Sequence, residues 1–564
     1  MKKTIITILG LILLTIPSLL PFFNARFFYT QDYIFIARLN QMSAALADGQ
    51  FPVRWAPDLR FGEPIFNFYA PLPYYIGAVI HLLGFNYLML AKILFITSSI
   101  LSALTMYIFI KELLGNKAGI VASVLYTYAP YRAVDIYVRG SLSETWAFVF
   151  FPLIFYYSLR VFKNANFKSI LFLSLSLSGL FLTHNVTTVM FLPFLILWWI
   201  YLLILKYRTL ADTKDSAFLL IWHLCVALVL GIGLAAFFIL PAIFERDFIQ
   251  TKYLTVGYFD FRAHFVAFKQ FFSLFWGYGS SLWGPNDGLS FQVGMINWLV
   301  LLTTFVFAII FRKDKNLLGL TLFLGVSFIA SIFLQHNKSA FIWEAFPIMA
   351  FIQFPWRFLA ISVFIVAIAG GVITTYFERN SKELIRFKNK SNLLILFLIV
   401  ATIASTFSYF KPKEYTDDSF FDKFLNKEKM RQGIDLTKDY LPIWVKTVDG
   451  AVFNAPRAEK GSIEVTNINK KSTSLSASVK VLDDSSIELP ITYFPGWEVR
   501  TNDRVINQEN PSKMGLIRFK LPKGIFNIKI ELKNTPVRAI GNWISLISAL
   551  AVIALLAVRK NYSK

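Results

Sequence analysis

Two arginines and two acids lie in one short stretch between apolar runs of the chain: Arg132, Asp135, Arg139 and Glu144. An arginine side chain presents a planar fork of N–H donors, which matches the oxygens of a phosphate group. The same arginines can instead pair with the acids beside them, Arg132 with Asp135 and Arg139 with Glu144. The stretch therefore predicts either a phosphate-binding site or two internal ion pairs.

A single carboxylate, Asp32, directly follows the first apolar run. The amphipathic stretch from Asp32 to Leu46 predicts a helix, and a carboxylate at a helix N-terminus is stabilised by the local dipole. Asp32 is therefore either an ordinary helix cap or a residue with a chemical role. The residues alone leave these two interpretations evenly balanced.

Two more polar residues lie where apolar runs meet. His184 occupies a very short turn, where it is either a polar cap or part of the wall of a cavity. Arg357 ends the aromatic sequence 353–357 and begins the next apolar run. Such a sequence is typical of an interfacial anchor, and Arg357 is equally suited to hold a phosphate.

Several kinds of chemistry have no motif in this sequence. It contains no phosphate-binding loop, no Gly-x-Ser-x-Gly elbow and no His-Glu-x-x-His, and its five histidines are scattered. Cys225 is the one cysteine, so no disulfide and no cysteine-based metal site is expected. ATP-driven work and zinc hydrolysis are disfavoured. We expect no organic cofactor and assign no metal ligands, while a divalent cation stays open as a cofactor.

The elements that position these residues are expected to be membrane-spanning helices. The chain has 564 residues, of which 56% are hydrophobic and only 16% charged, against about 25% charged in soluble domains. Apolar runs of this length can cross a bilayer as helices. The predicted spans are 4–23, 86–110, 118–130, 142–159, 169–183, 186–205, 217–243, 292–311, 316–334, 357–377, 392–410 and 538–558.

The basic charge of the chain reports its orientation in the membrane. A net charge of +22 would suggest nucleic acid in a soluble protein. Here, however, Lys and Arg cluster in short connectors, as at Lys313 and Lys315, which is how a cytoplasmic bias appears. We expect a multi-pass protein of the plasma membrane with both termini cytoplasmic, and we expect no nucleic-acid partner.

The composition changes near residue 411 to polar and β-branched, and alternating runs such as 475–479 and 525–532 predict strands. We predict a membrane all-α, polytopic helical bundle over 1–410 with a long first outer loop at 24–85. An extracytoplasmic β-sandwich domain is expected over 411–536, and a transmembrane helix with a cytoplasmic tail over 537–564. The aromatic residues Tyr493 and Trp497 of the predicted β-sandwich suit either a glycan-binding surface or the hydrophobic core of that domain.

The first outer loop resembles a known family. The stretches Asp48-Gly49-Gln50-Phe51-Pro52-Val53-Arg54-Trp55 and 62–75 are similar to those of bacterial membrane proteins with a 6-pyruvoyl-tetrahydropterin synthase-related domain, which look like distant members of the GT-C glycosyltransferase superfamily. The resemblance extends through 139–144, 184–185, 353–357 and 493–497. The pterin label is not literal, because a pterin synthase needs clustered zinc-binding histidines.

The GT-C resemblance implies an active site in the first outer loop with a carboxylate just after the first span, which is Asp32 here. The implied activity moves a sugar from a polyprenyl-phosphate-linked donor to an envelope glycan or lipid, with membrane lipid as a further partner. A phosphate leaves without an acid, so one base suffices. The phosphate candidates are Arg54, Arg132, Arg139 and Arg357. The other residues expected to bind substrate are Asp58, Glu63, Glu144 and His184.

Two other functions stay open. A transporter or flippase for glycolipids would show paired repeats and broken helices near the midplane, whereas the charges here lie at the outer ends of the spans. A non-catalytic envelope protein would bind glycan through its β-domain. The resemblance and the position of Asp32 favour the enzyme.

Overall fold

The computed structural model describes residues 2–209, 214–284, 286–379, 390–433, 440–448 and 452–562. The chain forms two compact units. The first unit comprises Met1–Tyr33, Lys92–Ile232 and Thr255–Thr416. The second comprises Ile34–Ala91, Gly233–Leu254 and Asp417–Lys564. The domain boundaries proposed from composition, at 410/411 and 536/537, stay a prediction.

Long apolar helices dominate the chain because its apolar runs are long enough to span a bilayer. Within the described ranges, 8 helices are long and apolar enough to do so. They are Thr4–Phe23, Tyr87–Leu114, Leu142–Lys163, Asn185–Arg208, Ala217–Phe244, Lys315–Gln335, Pro355–Arg379 and Pro536–Ala554.

The four remaining predicted spans are shorter helices. Three are apolar, Phe167–Phe181, Met295–Ile310 and Ile395–Tyr409. The fourth is the helix Asn116–Thr127, which has 12 residues. A helix rises about 1.5 Å per residue, so Asn116–Thr127, Phe167–Phe181 and Met295–Ile310 do not reach the thickness of the hydrocarbon core by themselves. The apolar stretch Ile395–Tyr409 belongs to a longer helix, Lys390–Thr406, which continues as a 3-10 helix to Tyr409. The predicted total of twelve spans therefore stays a prediction.

Short elements connect these helices. The amphipathic stretch after Asp32 is helical, as predicted, but the helix begins two residues later, at Ile34. A two-residue pair of strands, Phe27–Phe28 with Tyr415–Thr416, lies within the first unit. The amphipathic helix is Ile34–Ala47, and further short α- or π-helical segments are Leu72–His81, Pro130–Ala133, Val134–Arg139, Ala340–Ala345, Asp422–Leu425 and Lys427–Gly433.

The predicted β-sheet region near the C-terminus is confirmed and belongs to the second unit. One antiparallel sheet has the order Ile463–Lys471, Ser474–Val481, Gly524–Leu532, Trp497–Thr501 and Arg504–Val505. The other has the order Arg457–Lys460, Ser485–Thr492 and Leu516–Leu521. Alternate residues are buried along Ser474–Val481, which is the pattern of a strand with one face on a core.

Both sheets contribute to one hydrophobic core, which contains Leu475, Ile487 and Phe519. Trp497 belongs to this core and is only 5% exposed. Tyr493 packs against it, and its ring meets that of Trp444 at 4.7 Å. Of the two interpretations of these aromatics, core packing therefore holds, and neither is an exposed platform for a glycan.

Candidate functional site

The stretch that carries Arg132, Asp135 and Arg139 is a helix with an unusual second half. Pro130–Ala133 is α-helical, and Val134–Arg139 widens into a π-helical turn. Such turns are rare and often occur at functional sites. Gly140 ends the turn in the left-handed conformation, with φ 69°. Asp135 and Arg139 are four residues apart and form an ion pair. They lie shortly before the next helix, Leu142–Lys163.

Arg139 is the centre of a buried charged cluster in the first unit. Its Nη1 donates to Asp135 Oδ1 at 2.5 Å, to Glu144 Oε2 at 2.7 Å and to the Tyr131 hydroxyl at 3.1 Å. The Tyr131 hydroxyl in turn donates to Glu144 Oε1 at 2.7 Å. The guanidinium of Arg139 lies 4.8 Å from the ring centre of Trp356, within the range of a cation–π contact.

Arg132 is a second buried guanidinium of the same stretch and is only 1% exposed. Its Nη2 donates to the Ser102 hydroxyl at 3.0 Å, and its guanidinium lies 4.2 Å from the ring centre of Phe148. Among the described residues, nothing accepts a hydrogen bond from its Nε or Nη1. Two donors of a buried cation are thus available to an anion or to water.

Arg357 lies within electrostatic reach of Asp135 and Glu144. Its Nη1 donates to the Ile352 carbonyl at 2.8 Å and to Gln353 Oε1 at 3.2 Å. His184 is within electrostatic reach of Glu144 as well, and its Nδ1 is 2.5 Å from the Thr187 hydroxyl. The charged cluster is therefore Arg132, Asp135, Arg139, Glu144, His184 and Arg357.

Three spanning helices begin at this cluster. Glu144 is in the first turn of Leu142–Lys163, His184 precedes Asn185, where the next span starts, and Arg357 is in the first turn of Pro355–Arg379. Helix N-termini carry a partial positive charge and unpaired N–H groups. The cluster thus lies at one end of the spans, and the helix ends add to its positive character.

The main chain of Asp32 is hydrogen-bonded to that of Arg139 in this cluster. Its N–H donates to the carbonyl of Arg139 at 2.8 Å, and the Gln31 N–H donates to the carbonyl of Val138 at 2.9 Å. The Thr30 hydroxyl donates to the Asp32 carbonyl at 2.8 Å. Residues 30–32 therefore run alongside 138–140, with Asp32 beside the residue at the centre of the cluster.

Gly140 permits this close approach. A Cβ at this position would lie 2.5 Å from the Thr30 hydroxyl and 2.6 Å from the Asp32 carbonyl, and φ is also positive. Only glycine adopts such a conformation readily and leaves room for the neighbouring backbone. The glycine between Arg139 and Ser141 is thus a requirement of the Asp32 contact.

Asp135 and Glu144 both pair with Nη1 of Arg139, so one guanidinium is the ion-pair partner of two carboxylates. Burial raises the pKa of Asp135 well above its ordinary value, and the Glu144 carboxylate raises it further, whereas the guanidiniums of Arg139, Arg132 and Arg357 lower it. Asp135 Oδ2 has no hydrogen-bond partner among the described residues. Asp135 therefore binds a proton more readily than a free carboxyl group does.

The cluster contains a buried cation with unpaired donors. Arg132 and Arg139 are both buried, and among the described residues Nε and Nη1 of Arg132 donate to no acceptor. Keeping such a charge out of water is unfavourable unless an anion or a set of hydrogen bonds compensates it. The arrangement can therefore bind an anionic group such as a phosphate. In the described ranges no group of three or more His, Cys, Asp or Glu could hold a metal ion.

Arg54, one of the predicted phosphate ligands, belongs to the second unit and forms a network there. Its Nη1 donates to Asn67 Oδ1 at 2.9 Å and to the Phe237 carbonyl at 3.1 Å, and its Nη2 donates to Asn542 Oδ1 at 2.7 Å. Burial, and then the charge of Arg538, lower the pKa of Arg54 to about 10.

Glu245 completes what we call the Arg54 network. Its Oε2 accepts from Arg538 Nε at 2.9 Å and from Asn67 Nδ2 at 3.3 Å, and its Oε1 accepts from the Thr535 hydroxyl at 2.5 Å. The network is therefore Arg54, Asn67, Glu245, Thr535, Arg538 and Asn542. Sequence reasoning did not single out Glu245 or Arg538, because they lie far from Arg54 along the chain.

Asp58 and Glu63 also belong to the second unit. Asp58 Oδ1 accepts two bonds from Arg431, from Nε at 2.8 Å and from Nη2 at 2.5 Å. The main chain of Glu63 pairs with that of Ala56 in both directions, at 2.9 and 3.1 Å. Of the nine predicted site residues, the first unit thus holds Asp32, Arg132, Arg139, Glu144, His184 and Arg357 together.

Sequence reasoning named Asp135 only as a possible partner of Arg132 and left Tyr131 and Trp356 without a role in the site. The structure pairs Asp135 with Arg139 instead. The spacing of four residues between them is a signal for that pairing, because residues four apart share a helix face. Tyr131 and Trp356 carry no comparable signal, since aromatic residues are abundant at 17% of this chain.

A protein of Lactococcus lactis subsp. cremoris (strain MG1363), described as an uncharacterized protein, is 25% identical over 322 residues. That alignment covers 54% of this chain and 50% of the relative, so the chain matches about half the length of this relative.

Two solved structures are similar at low scores. The arabinofuranosyltransferase AftD from Mycobacteria has a TM-score of 0.45 at 13% identity, over 75% of this chain and 28% of that one. The Archaeoglobus fulgidus oligosaccharyltransferase has a TM-score of 0.39 at 11% identity, over 74% of this chain and 57% of that one. Scores below 0.5 give this likeness no weight for activity.

The family itself is shown by sequence. Residues 66–411, more than half of the chain, match the family model described as 6-pyruvoyl-tetrahydropterin synthase related domain, membrane protein. This match includes every member of the charged cluster and confirms the family resemblance. Of the first outer loop it includes residues 66–85, whereas Asp32 and the stretch 48–55 precede it. The chain is therefore a membrane protein of the 6-pyruvoyl-tetrahydropterin synthase-related family.

Proposed function

We propose that this protein is a membrane glycosyltransferase of GT-C type. It transfers a sugar from a polyprenyl-phosphate-linked donor to a cell-envelope glycan or lipid on the outer face of the membrane. The donor's lipid tail stays in the bilayer while its phosphate and sugar reach the charged cluster at the ends of the spans. The active site consists of Asp32 and this cluster.

One observation carries the proposal: the main chain of Asp32 is hydrogen-bonded to Arg139, the centre of a buried charged cluster in which two donors of Arg132 have no acceptor among the described residues. A base next to cations is what phosphate-leaving sugar transfer requires. The base activates the acceptor, and the cations stabilise the negative charge that develops on the departing phosphate.

The proposed reaction is a single displacement. The oxygen of an acceptor hydroxyl forms a bond to the anomeric carbon of the donor sugar, and its proton passes to the Asp32 carboxylate. The bond between the anomeric carbon and the phosphate oxygen breaks, and the electron pair leaves with the polyprenyl phosphate. No oxidant, reductant or nucleotide takes part in this step.

The cluster residues have distinct proposed roles. The unpartnered donors of Arg132 and the guanidiniums of Arg139 and Arg357 bind the phosphate. Glu144 and Asp135 act as positioning residues, because each accepts a hydrogen bond from Arg139 and fixes its orientation. His184, within electrostatic reach of Glu144, contacts the sugar or the phosphate.

A glycosyl-transfer assay with purified protein and polyprenyl-phosphate sugars tests the proposal. Asp32→Asn keeps the shape of the side chain but removes the base, so we expect transfer to fall by at least about a hundredfold. Asp247→Asn is the control, because that acid is 87% exposed. Unchanged transfer by Asp32→Asn would exclude Asp32 as the base, and no transfer by the wild type with any such donor would refute the function.

We further propose that the protein spans the plasma membrane twelve times, with both termini cytoplasmic and the two sheets packed as an outer β-sandwich. The distribution of Lys and Arg among the connectors supports this orientation. A membrane-impermeant thiol reagent applied to whole cells should label Lys338→Cys and leave Lys313→Cys unlabelled, both in a Cys225→Ser background. The reverse labelling would contradict the orientation.

A further inference from the structure

The helix Met295–Ile310 has one exposed apolar stripe. Along this stripe lie Met295, Leu299, Leu302, Val306 and Ile309, each more than half exposed. The spacing of four, three, four and three residues keeps them on one face of a helix. In a membrane protein, a continuous exposed apolar face of this kind is in contact with lipid.

This helix is too short to cross the hydrocarbon core alone. Its 16 residues extend over about 24 Å, whereas the core is about 30 Å thick. At its C-terminal end Arg312 and Lys313 follow within three residues, so the apolar surface cannot continue in that direction. Any extension of this apolar surface therefore lies at the N-terminal end.

An aromatic segment, residues 268–275, is fixed to that N-terminal end. The carbonyl of Phe271 accepts hydrogen bonds from the Val293 N–H at 3.1 Å and from Trp298 Nε1 at 3.0 Å. The ring of Phe272 stacks on that of Trp298 with 4.3 Å between their centres and 12° between their planes. Trp298 lies between Met295 and Leu299 along the helix, so the segment adjoins the exposed stripe.

The aromatic segment exposes apolar side chains next to this stripe. Phe268, Phe272, Leu274 and Phe275 are each at least half exposed, although none belongs to a candidate span. Phe271, at the same time, is fully buried and holds the segment against the helix. The apolar surface of Met295–Ile310 therefore continues into a segment that lies between two predicted spans, 217–243 and 292–311.

We propose that residues 268–275 insert into the bilayer at the boundary between hydrocarbon and headgroups and complete the short span Met295–Ile310. Aromatic side chains favour this depth. The segment begins with a short 3-10 helix, Phe268–Phe272. Its main chain is tolerated at this depth because it is partly paired with protein groups, as at Phe271. The partner of this surface is the lipid bilayer itself. The inference does not depend on the proposed enzymatic activity.

Depth-dependent fluorescence quenching tests this inference in the full-length protein. In a Cys225→Ser background, a fluorophore is attached to a single cysteine at Phe272, at Phe275, at Leu302 or at Lys338. The protein is reconstituted into vesicles of phosphatidylethanolamine and phosphatidylglycerol that contain a nitroxide either near the headgroup or near the end of the acyl chain. Aqueous iodide is the quencher for the water-exposed state.

The expected result is stronger loss of fluorescence from the shallow nitroxide than from the deep one at Phe272 and Phe275. Leu302, at the middle of the exposed stripe, should show the opposite order, and Lys338 should respond to iodide alone. Quenching of Phe272 and Phe275 by iodide but not by either lipid would overturn the inference. Protection from all three quenchers would also overturn it, because a second copy of the chain would then cover the segment.

Discussion

The charged cluster and the Arg54 network are both buried groups in which arginines outnumber acids, yet their hydrogen bonding differs. In the Arg54 network both oxygens of the only acid, Glu245, accept hydrogen bonds from the chain. In the charged cluster Asp135 Oδ2 has no partner among the described residues, and neither have Nε and Nη1 of Arg132. In the described part of the Arg54 network, the nitrogens without an acceptor are Nε of Arg54 and Nη2 of Arg538.

The acceptors of Arg54 explain why that residue is buried. One of them is the carbonyl of Phe237, inside the helix Lys214–Phe244. This carbonyl has no helical N–H partner because the residue four positions later is Pro241, which lacks an N–H. Arg54 supplies the missing donor and also binds Asn542 of the C-terminal helix. It thus connects three segments of the second unit.

This difference separates a structural arginine from a candidate ligand-binding one. A guanidinium whose donors satisfy acceptors of its own chain stabilises the fold. A buried group in which a carboxylate oxygen and two nitrogens of one guanidinium have no partner is incomplete without a ligand or water. Sequence reasoning gave Arg54 and Arg139 the same role, and the structure motivates different roles for them.

The largest expected effect comes from removing the centre of the cluster. Arg139→Met leaves Asp135 and Glu144 buried without their shared cation, so we expect stability to fall by about 3–5 kcal/mol and sugar transfer to be lost. Thermal unfolding in detergent and the transfer assay measure the two effects. Arg139→Met with Glu144→Gln should regain part of the melting temperature without regaining transfer. An unchanged melting temperature in the single variant would show that the ion pairs contribute little.

Arg54→Met tests the structural role of the Arg54 network. It leaves the Phe237 carbonyl and the side chains of Asn67 and Asn542 without their donor, which should lower stability by about 2–3 kcal/mol. The folded fraction should transfer sugar at nearly the wild-type rate. Loss of transfer with an unchanged melting temperature would instead return Arg54 to the phosphate-binding role that the sequence suggests.

The sequence predicted the helices and the sheet region because long apolar runs and alternating strands are local patterns. It also singled out the six site residues that lie in the first unit, because charged residues at the ends of apolar runs are rare. It could not separate Arg139 from Arg54, because the partners that distinguish them are distant in sequence, such as Asn542 for Arg54. Nor could it show that residues 268–275 adjoin a short apolar helix, since that follows from the contact with Trp298.

The smallest effect, and the most specific, is expected at Gly140. Gly140→Ala places a Cβ against Thr30 and the Asp32 carbonyl, whereas Gly257→Ala, at a similar φ of 63°, meets nothing within 4 Å. Each substitution carries about 1–2 kcal/mol of left-handed backbone strain. Both variants should therefore lose a few degrees of melting temperature.

Only Gly140→Ala should also displace Asp32 from Arg139 and so lower kcat, with KM for the donor little changed if the phosphate ligands stay in place. Equal kcat values for the two alanine variants would show that the main-chain contact between Asp32 and Arg139 does not position the base. The cluster would then resemble the Arg54 network in serving the fold, and the functional distinction between the two buried groups would be lost.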